Sequence, residues 1–588
     1  MIGATLATLG VFFLPGILIL LRKEIFSPLS VIEKLPLCIA VSLSYWIIAF
    51  WWLSLVPLSL GTLIVVTLMA TGIVYVALGK HASYSKGFAA YFGSGIVPLF
   101  FLFIAVPQVL FFAGQYVPSG QDMSMHTYIA TVILQKNAFP MTLMPIVPVD
   151  TFGLYPFGFS TVIAVMSRVN TLPPYANALL LTALVHFLFD YSLYLMLRSK
   201  FTPTMSVMVA GIVGWTSANP HFFVTWGANP SVLSLSFLFL AVALLLSGAS
   251  RAWPRFLAMV LVCASFLTNY MFVIAVLYIG LPVIMVLFLK HLRQPSIRMP
   301  ITISFLTVTV MLLPFVVKFF SMSWSLSETT AAFIRGLHAD ETARWNGMFS
   351  LAGLRQITAM IGDITDRQLL FLSGIAFIFL WKRLPKLSLF IIYTVAWLYF
   401  FVANARHWWV PFSSLLYPYR LVLFMLIPIS YLLALFFTRL KEKNTWAYIL
   451  ACILFMAIST PRMRVFQYER VAREKNMVTA NDLAAMNYLR RISTETDVIW
   501  NSYDDAGLWI PAIIQRRITT YHTNPVDMEQ LRNTRKELPR YVFVGETNSY
   551  ETPFSESVAL EFPEASTWEY DLVYARGKTK VYQIRRAR

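Results

Sequence analysis

Charge is what this chain of 588 residues most lacks. Asp, Glu, Lys and Arg make up only 13% of it, about half the share of a soluble domain. Hydrophobic residues make up 58%. A surface so poor in charge excludes a disordered chain, a collagen and a coiled coil. Cysteine is scarce too. Cys38, Cys263 and Cys452 each sit in an apolar run, which excludes a disulfide scaffold and leaves the redox compartment open. The chain also contains no P-loop, no GxGxxG, no HExxH and no paired CxxC.

What is present is a series of apolar runs of bilayer length. They lie near residues 2–21, 35–55, 60–79, 88–114, 174–197, 204–218, 230–248, 256–268, 270–289, 300–319, 368–381, 387–404, 419–438 and 445–460. The fold class expected is mainly α: a polytopic membrane helix bundle of about fourteen transmembrane helices, closed by a small α/β C-terminal soluble domain. Arg22-Lys23 follows the first run where a cleavage site would need small residues, so that run reads as a retained helix.

The net charge of +18 is a topology signal. Residues 461–588 account for +2 of it, with 19 basic against 17 acidic residues. Most of the rest lies in short loops. Arg22, Lys23 and Lys34; Lys80 and Lys86; Arg198 and Lys200; Arg251 and Arg255; Lys290, Arg293 and Arg298; Lys382, Arg383 and Lys386; and Arg439, Lys441 and Lys443 fall on alternate connections. That face is cytoplasmic by the positive-inside rule. The alternation holds only if 256–289 is two short helices, broken at Thr268-Asn269-Tyr270. Such a break at membrane depth is tolerated only against protein or a water-filled cavity. The cell membrane is the expected location, with the C-terminal domain extracytoplasmic.

Three organisational units follow: an N-terminal three-helix addition (1–87), a catalytic membrane domain (88–460) with long outer loops 115–173, 320–367 and 405–418, and the α/β tail (461–588). In the tail, Asn481–Ile492, Asp505–Arg516 and Asp527–Leu538 read as helices. Val498–Asn501, Ile518–Tyr521 and Tyr541–Gly545 read as strands, and Leu572–Ala575 with Thr579–Ile584 reads as a hairpin over Arg576-Gly577-Lys578.

The residues able to do chemistry lie on the outer side. Asp122 and His126 are four apart in Gln121-Asp122-Met123-Ser124-Met125-His126, so a helix puts both on one face. Asp122 is then either a general base, with His126 supporting it or sharing a metal, or simply the N-cap of the helix. Asp150 and Glu328 are supporting acids on the same side. The amphipathic Tyr155–Arg168 is expected to lie at the interface or dip into the membrane. Trp226, in Trp226-Gly227-Ala228-Asn229-Pro230, suits either interfacial anchoring or stacking on a sugar. Arg406, His407 and Arg420 are outer cationic groups, and a guanidinium pairs phosphate oxygens bidentately. His186 and Asp190, four apart inside a span, are expected to form a structural helix–helix pair.

In this order and on this side, the motifs resemble the GT-C class of membrane glycosyltransferases. The resemblance rests on Asp122 in the first large outer loop, Tyr155-Pro-Phe-Gly-Phe, Trp226-Gly-Ala-Asn-Pro, the break at Leu267-Thr-Asn-Tyr, Arg420 and the exported tail. It covers roughly residues 88–588. It implies a polyprenyl-phosphate-linked sugar as donor and a glycan, lipid or protein as acceptor. Asp122 would then be the base, Arg420, Arg406 and His407 would hold the donor phosphate, and Trp226, Tyr155, Asp505 and Trp509 would contact sugar or acceptor. Trp500-Asn-Ser-Tyr-Asp-Asp-Ala-Gly echoes the WWDYG motif of the oligosaccharyltransferase catalytic subunit, and Ser325-Leu-Ser-Glu328 its SVSE motif. The tryptophan pair is absent, however, and the 218–229 loop has no acid to complete a divalent-metal site. The cofactor therefore stays open, with a divalent metal lacking a clear ligand set. Membrane lipid is a partner; nucleic acid is not. The alternative function is a transporter or flippase for lipid-linked sugars, or an oligosaccharyltransferase-like enzyme. Transport would call for inverted repeats and midplane ionisable groups.

Overall fold

The computed structural model describes residues 2–17, 19, 29–79, 96–112, 114–147, 155–216, 223–248, 252–278, 295–323, 367–381, 418–464, 478–502, 505–521, 537–547 and 554–586. The expected span 387–404 and the tail helix expected at 527–538 lie outside them.

Helices form at the described apolar runs, and two more, Asp122–Lys136 and Gly158–Asn170, form within the expected outer loop 115–173. They are α1 (Ile2–Phe13), α2 (Val31–Trp52), α3 (Leu60–Gly79), α4 (Ile96–Phe112), α5 (Asp122–Lys136), α6 (Gly158–Asn170), α7 (Pro174–Arg198), α8 (Pro203–Thr216) and α9 (Asn229–Gly248). After these come α10 (Ala252–Thr268) and α11 (Tyr270–Tyr278), then α12 (Pro295–Ser323), α13 (Arg367–Leu380), α14 (Leu426–Lys443) and α15 (Thr445–Arg464). Among the described residues five helices are long and apolar enough to cross a membrane, and six if the bent pair α10–α11 counts as one span. The expected count of about fourteen is thus not confirmed among the described residues. One reason is length: α1 stops at Phe13, two residues before Pro15, and Pro203–Gly214 and Leu369–Leu380 are short for a bilayer.

The break expected at Thr268-Asn269-Tyr270 is there, as a bend of 119° between α10 and α11. Asn269 makes it. Its Oδ1 accepts the Met271 N–H at 3.2 Å, and its Nδ2 donates to Ser231 Oγ at 2.9 Å. Its carbonyl accepts from Ser234 Oγ at 3.1 Å. The freed backbone is therefore satisfied from α9.

In lipid the hydrophobic effect does not pull helices together, so small residues and polar contacts set their packing. Ser234 and Ser265 bond α9 to α10. Glu33 of α2 pairs with Arg198 of α7 at 3.1 Å and also accepts from Tyr194 Oη at 2.5 Å. Trp46 of α2 donates to the Val11 carbonyl of α1, and Trp51 stacks on Phe157 at 5.1 Å. The first helices therefore pack directly on the segments that carry the motifs.

The tail begins with α16 (Ala480–Ile492), started by a capping box of Thr479 and Asp482. Its sheet has the order β2-β1-β3-β5-β4. Strand β1 (Val498–Trp500) pairs in parallel with β2 (Arg517–Ile518) and β3 (Tyr541–Val544). Strands β4 (Trp568–Arg576) and β5 (Thr579–Arg586) form the expected hairpin over Gly577, whose φ is +59°. The single helix expected over Asp505–Arg516 is instead a 3₁₀ turn, Ala506–Trp509, followed by the short helix α17 (Ile510–Ile514). Gln515, in the left-handed region, stops it.

Candidate functional site

Asp122 is the first residue of α5. The capping position is held by Gln121, which makes no side-chain cap bond, so the N-cap role considered for Asp122 falls to its neighbour. A carboxylate in the first turn is favoured by the helix dipole. Asp122 is half-buried, and His126, one turn on, is buried.

Two distant segments meet this turn. Tyr155 Oη lies 3.3 Å from His126 Nε2, and Phe159 packs against the same imidazole with ring centres 6.1 Å apart. From the other motif comes the turn 223–228, closed by the Phe223 carbonyl, which accepts the Gly227 and Ala228 N–H groups at 3.1 and 2.9 Å. Gly227 has φ +89°, and a Cβ there would stand 2.8 Å from the Met123 nitrogen and 3.1 Å from Asp122 Cβ. Only glycine fits both the backbone and the gap. The Tyr155 segment in turn reaches the helix break, since a Cβ on Gly158 would meet Thr268 Oγ1 at 2.5 Å and its Cα at 3.0 Å. The first-loop acid, the Tyr-Pro-Phe-Gly segment, the Trp-Gly-Ala-Asn turn and the break thus form one continuous assembly.

The Tyr155–Arg168 segment packs onto the bundle, with α6 enclosed from Gly158 to Ser167 by its neighbours. Two expectations need correction. His186 does join two helices, but its partner is Asn229 of α9, with Nε2 and Oδ1 3.2 Å apart. Among the described residues neither oxygen of Asp190 has a hydrogen-bond partner, and its side chain lies close to Gly214 of α8, while Arg198 pairs with Glu33. Asp505 and Trp509, expected at an acceptor surface, are fully buried inside the tail. Asp505 accepts the Gly545 N–H at 2.7 Å. Burial pushes its carboxyl up to about 7, against the pull of that bond, and the nearby Asp482 adds to the rise.

Arg420 is half-buried in the helical turn Pro418–Leu421. One turn later Phe424 packs on Phe239 of α9 and Phe272 of α11. Tyr155 is exposed. Asp150, Glu328, Arg406, His407 and the side chain of Trp226 lie outside the described residues. No group of three His, Cys, Asp or Glu that could hold a metal ion occurs among the described residues.

The tail docks on the back of α5. Thr131 Oγ1 shares its proton between the Thr127 carbonyl at 3.0 Å and the Ala512 carbonyl at 3.4 Å, Gln135 bonds to Gln515, and Tyr521 Oη donates to the Ile146 carbonyl. At about 100° per residue, Thr131 and Gln135 stand roughly 180–220° around the helix from Asp122, and His126 only about 40° from it. Sequence reasoning did not foresee this division, nor the Gly227 and Asn229 contacts. A glycine beside a tryptophan in a polar turn was the available signal for the first.

No family model matches the chain, and no curated protein sequence is similar to it. Among solved structures, it is similar to an oligosaccharyltransferase from Archaeoglobus fulgidus tethered with an acceptor peptide containing the NVT sequon. Identity is 12% and the TM-score 0.49, over 85% of this chain and 75% of that one. Archaeal oligosaccharyltransferase AglB from Archaeoglobus fulgidus, in complex with an inhibitory peptide and a dolichol-phosphate, has the same identity and TM-score, over 84% of this chain and 74% of that one. ArnT from Cupriavidus metallidurans bound to undecaprenyl phosphate has 12% identity and a TM-score of 0.49, over 83% of this chain and 98% of that one.

Proposed function

We propose that the chain is a membrane glycosyltransferase. It moves a sugar from a polyprenyl-phosphate donor to an acceptor on the outer face of the membrane, with Asp122 as general base. The observation that carries this reading is the convergence of segments far apart in sequence on the first turn of α5, in the order and with the residues that resemble the GT-C class. Asp122 takes the proton of the acceptor hydroxyl, and the oxygen attacks the anomeric carbon. The bond from that carbon to the phosphate oxygen breaks, and its electron pair leaves on the phosphate. Arg420, with Arg406 and His407, neutralises the departing charge. Tyr155 and Trp226 supply faces for the sugar.

The test is Asp122→Asn, which keeps the shape but cannot take a proton. Glycans and lipids from cells carrying it, read by mass spectrometry beside a deletion strain, are expected to lose the transferred sugar. Turnover is expected to fall by about 10²–10⁴-fold. Near-wild-type turnover moves the base to Asp150 or Glu328. Arg420→Lys keeps the charge but loses the fork, and is expected to raise the donor KM about tenfold. An unchanged KM shifts the phosphate role to Arg406 or His407. A flippase reading keeps one observation, the buried Asp190 at membrane depth; transport that survives Asp122→Asn supports it.

A further inference from the structure

His186 stands inside α7, fully buried, where no step of the proposed reaction uses it. A polar ring at this depth is costly unless it is bonded. Its Nε2 is 3.2 Å from Oδ1 of Asn229, which is also fully buried. Asn229 is the first residue of α9 and directly follows the turn 223–228. Two residues earlier, Gly227 stands so near α5 that a Cβ on it would meet the Met123 nitrogen at 2.8 Å and Asp122 Cβ at 3.1 Å. The turn is closed by its own bonds to Phe223, so it moves as a unit.

We propose that His186 and Asn229 are positioning residues for Asp122. Their bond fixes the start of α9, α9 fixes the turn, and Gly227 on the turn sets where the first turn of α5 can stand. Apolar contacts such as Phe189 against Phe239, with ring centres 5.9 Å apart, hold α7 beside α9. A side-chain hydrogen bond in lipid adds a directional contact to them. Asp190, one turn further along α7, has no side-chain hydrogen bond among the described residues, so its carboxyl adds nothing to this registration. The catalytic meaning of the device rests on the reading of Asp122 as base; the mechanical link does not.

The experiment uses the full-length protein in detergent, with His186→Ala, Asn229→Ala, the double variant and His186→Gln. Amide hydrogen exchange is read over 120–126 and 223–229, with β1 and β3 of the tail as a control for global folding. Both alanine variants are expected to speed exchange in the two segments by up to about tenfold, the range that one ordinary hydrogen bond allows. The double variant is expected to do no more than either single one. Transfer kcat is expected to fall about a hundredfold, as for a small misplacement of a reacting group, with the donor KM unchanged. His186→Gln, which keeps a polar partner for Asn229, is expected to recover most of both. Unchanged exchange in both segments, or additive effects in the double variant, overturns the proposal. Should His186→Ala loosen the tail control as well, Asn229→Ala and His186→Gln decide it by the same criteria. If the wild-type protein transfers no sugar while exchange responds as expected, the positioning link stands and the proposed reaction alone falls.

Discussion

The two faces of α5 are built for different ends. The face carrying Asp122 and His126 meets Tyr155, Phe159 and a glycine turn, whose approach only a residue without a side chain allows. The opposite face, with Thr131 and Gln135, meets the tail through bonds to Ala512 and Gln515. One side is set by how closely chains can approach, the other by adaptable polar side chains. Substitutions should therefore act on chemistry from the first side and on docking from the second.

The sharpest break in that contrast is Gly227→Ala. It places a side chain where φ is +89° and where a Cβ meets the Met123 nitrogen at 2.8 Å. Transfer is expected to fall about a hundredfold through displacement of Asp122, with tail docking unchanged as read by exchange over 510–515. A normal rate would mean that the turn does not set the position of the carboxylate.

The next effect belongs to the tail. The folded Asp505 carboxyl titrates at about 7, against an ordinary value of 3.8. Between those values the folded tail holds a proton that the unfolded chain has released, so stability falls as pH rises from about 4 to 7 and levels off above it. Asp505→Asn is expected to remove that slope, measured as the difference from wild type in hydrogen exchange of β1 and β3 across this range. A slope that persists in the variant assigns it to another group.

The smallest effect is expected from Thr131→Val. It removes one bond to the Ala512 carbonyl and keeps the shape, which costs about 0.5–1.5 kcal/mol of docking. Transfer is expected to stay within about twofold of wild type. A loss of transfer as large as that of Gly227→Ala would erase the distinction between the two faces.

The periodicity of apolar runs was enough to place most helices within a few residues, because lipid leaves a spanning chain no other backbone structure. It was also enough for the break at Asn269, a polar interruption in an apolar run, and for the hairpin at Gly577. The pairing of Asp122 with His126 on one face followed from helical spacing alone. Span count did not follow, because a short apolar helix and a spanning one read alike along the chain.

Partners across space were not legible. His186 and Asp190 share a helix face, but His186 bonds Asn229 of α9, and Arg198 is held by Glu33, far earlier in the chain. Asp505 and Trp509 looked available in a polar stretch, but both are fully buried, and Asp505 accepts the Gly545 N–H just after β3. Composition and periodicity determined that this is a helical membrane protein with an α/β tail and a carboxylate at the start of α5, because those depend on local spacing and on the solvent each segment can tolerate. Tertiary structure alone decided that Gly227 bears on Asp122, that His186 holds Asn229 and that the tail sits behind α5, because close approach and hydrogen-bond choice depend on which distant backbones arrive at the same place.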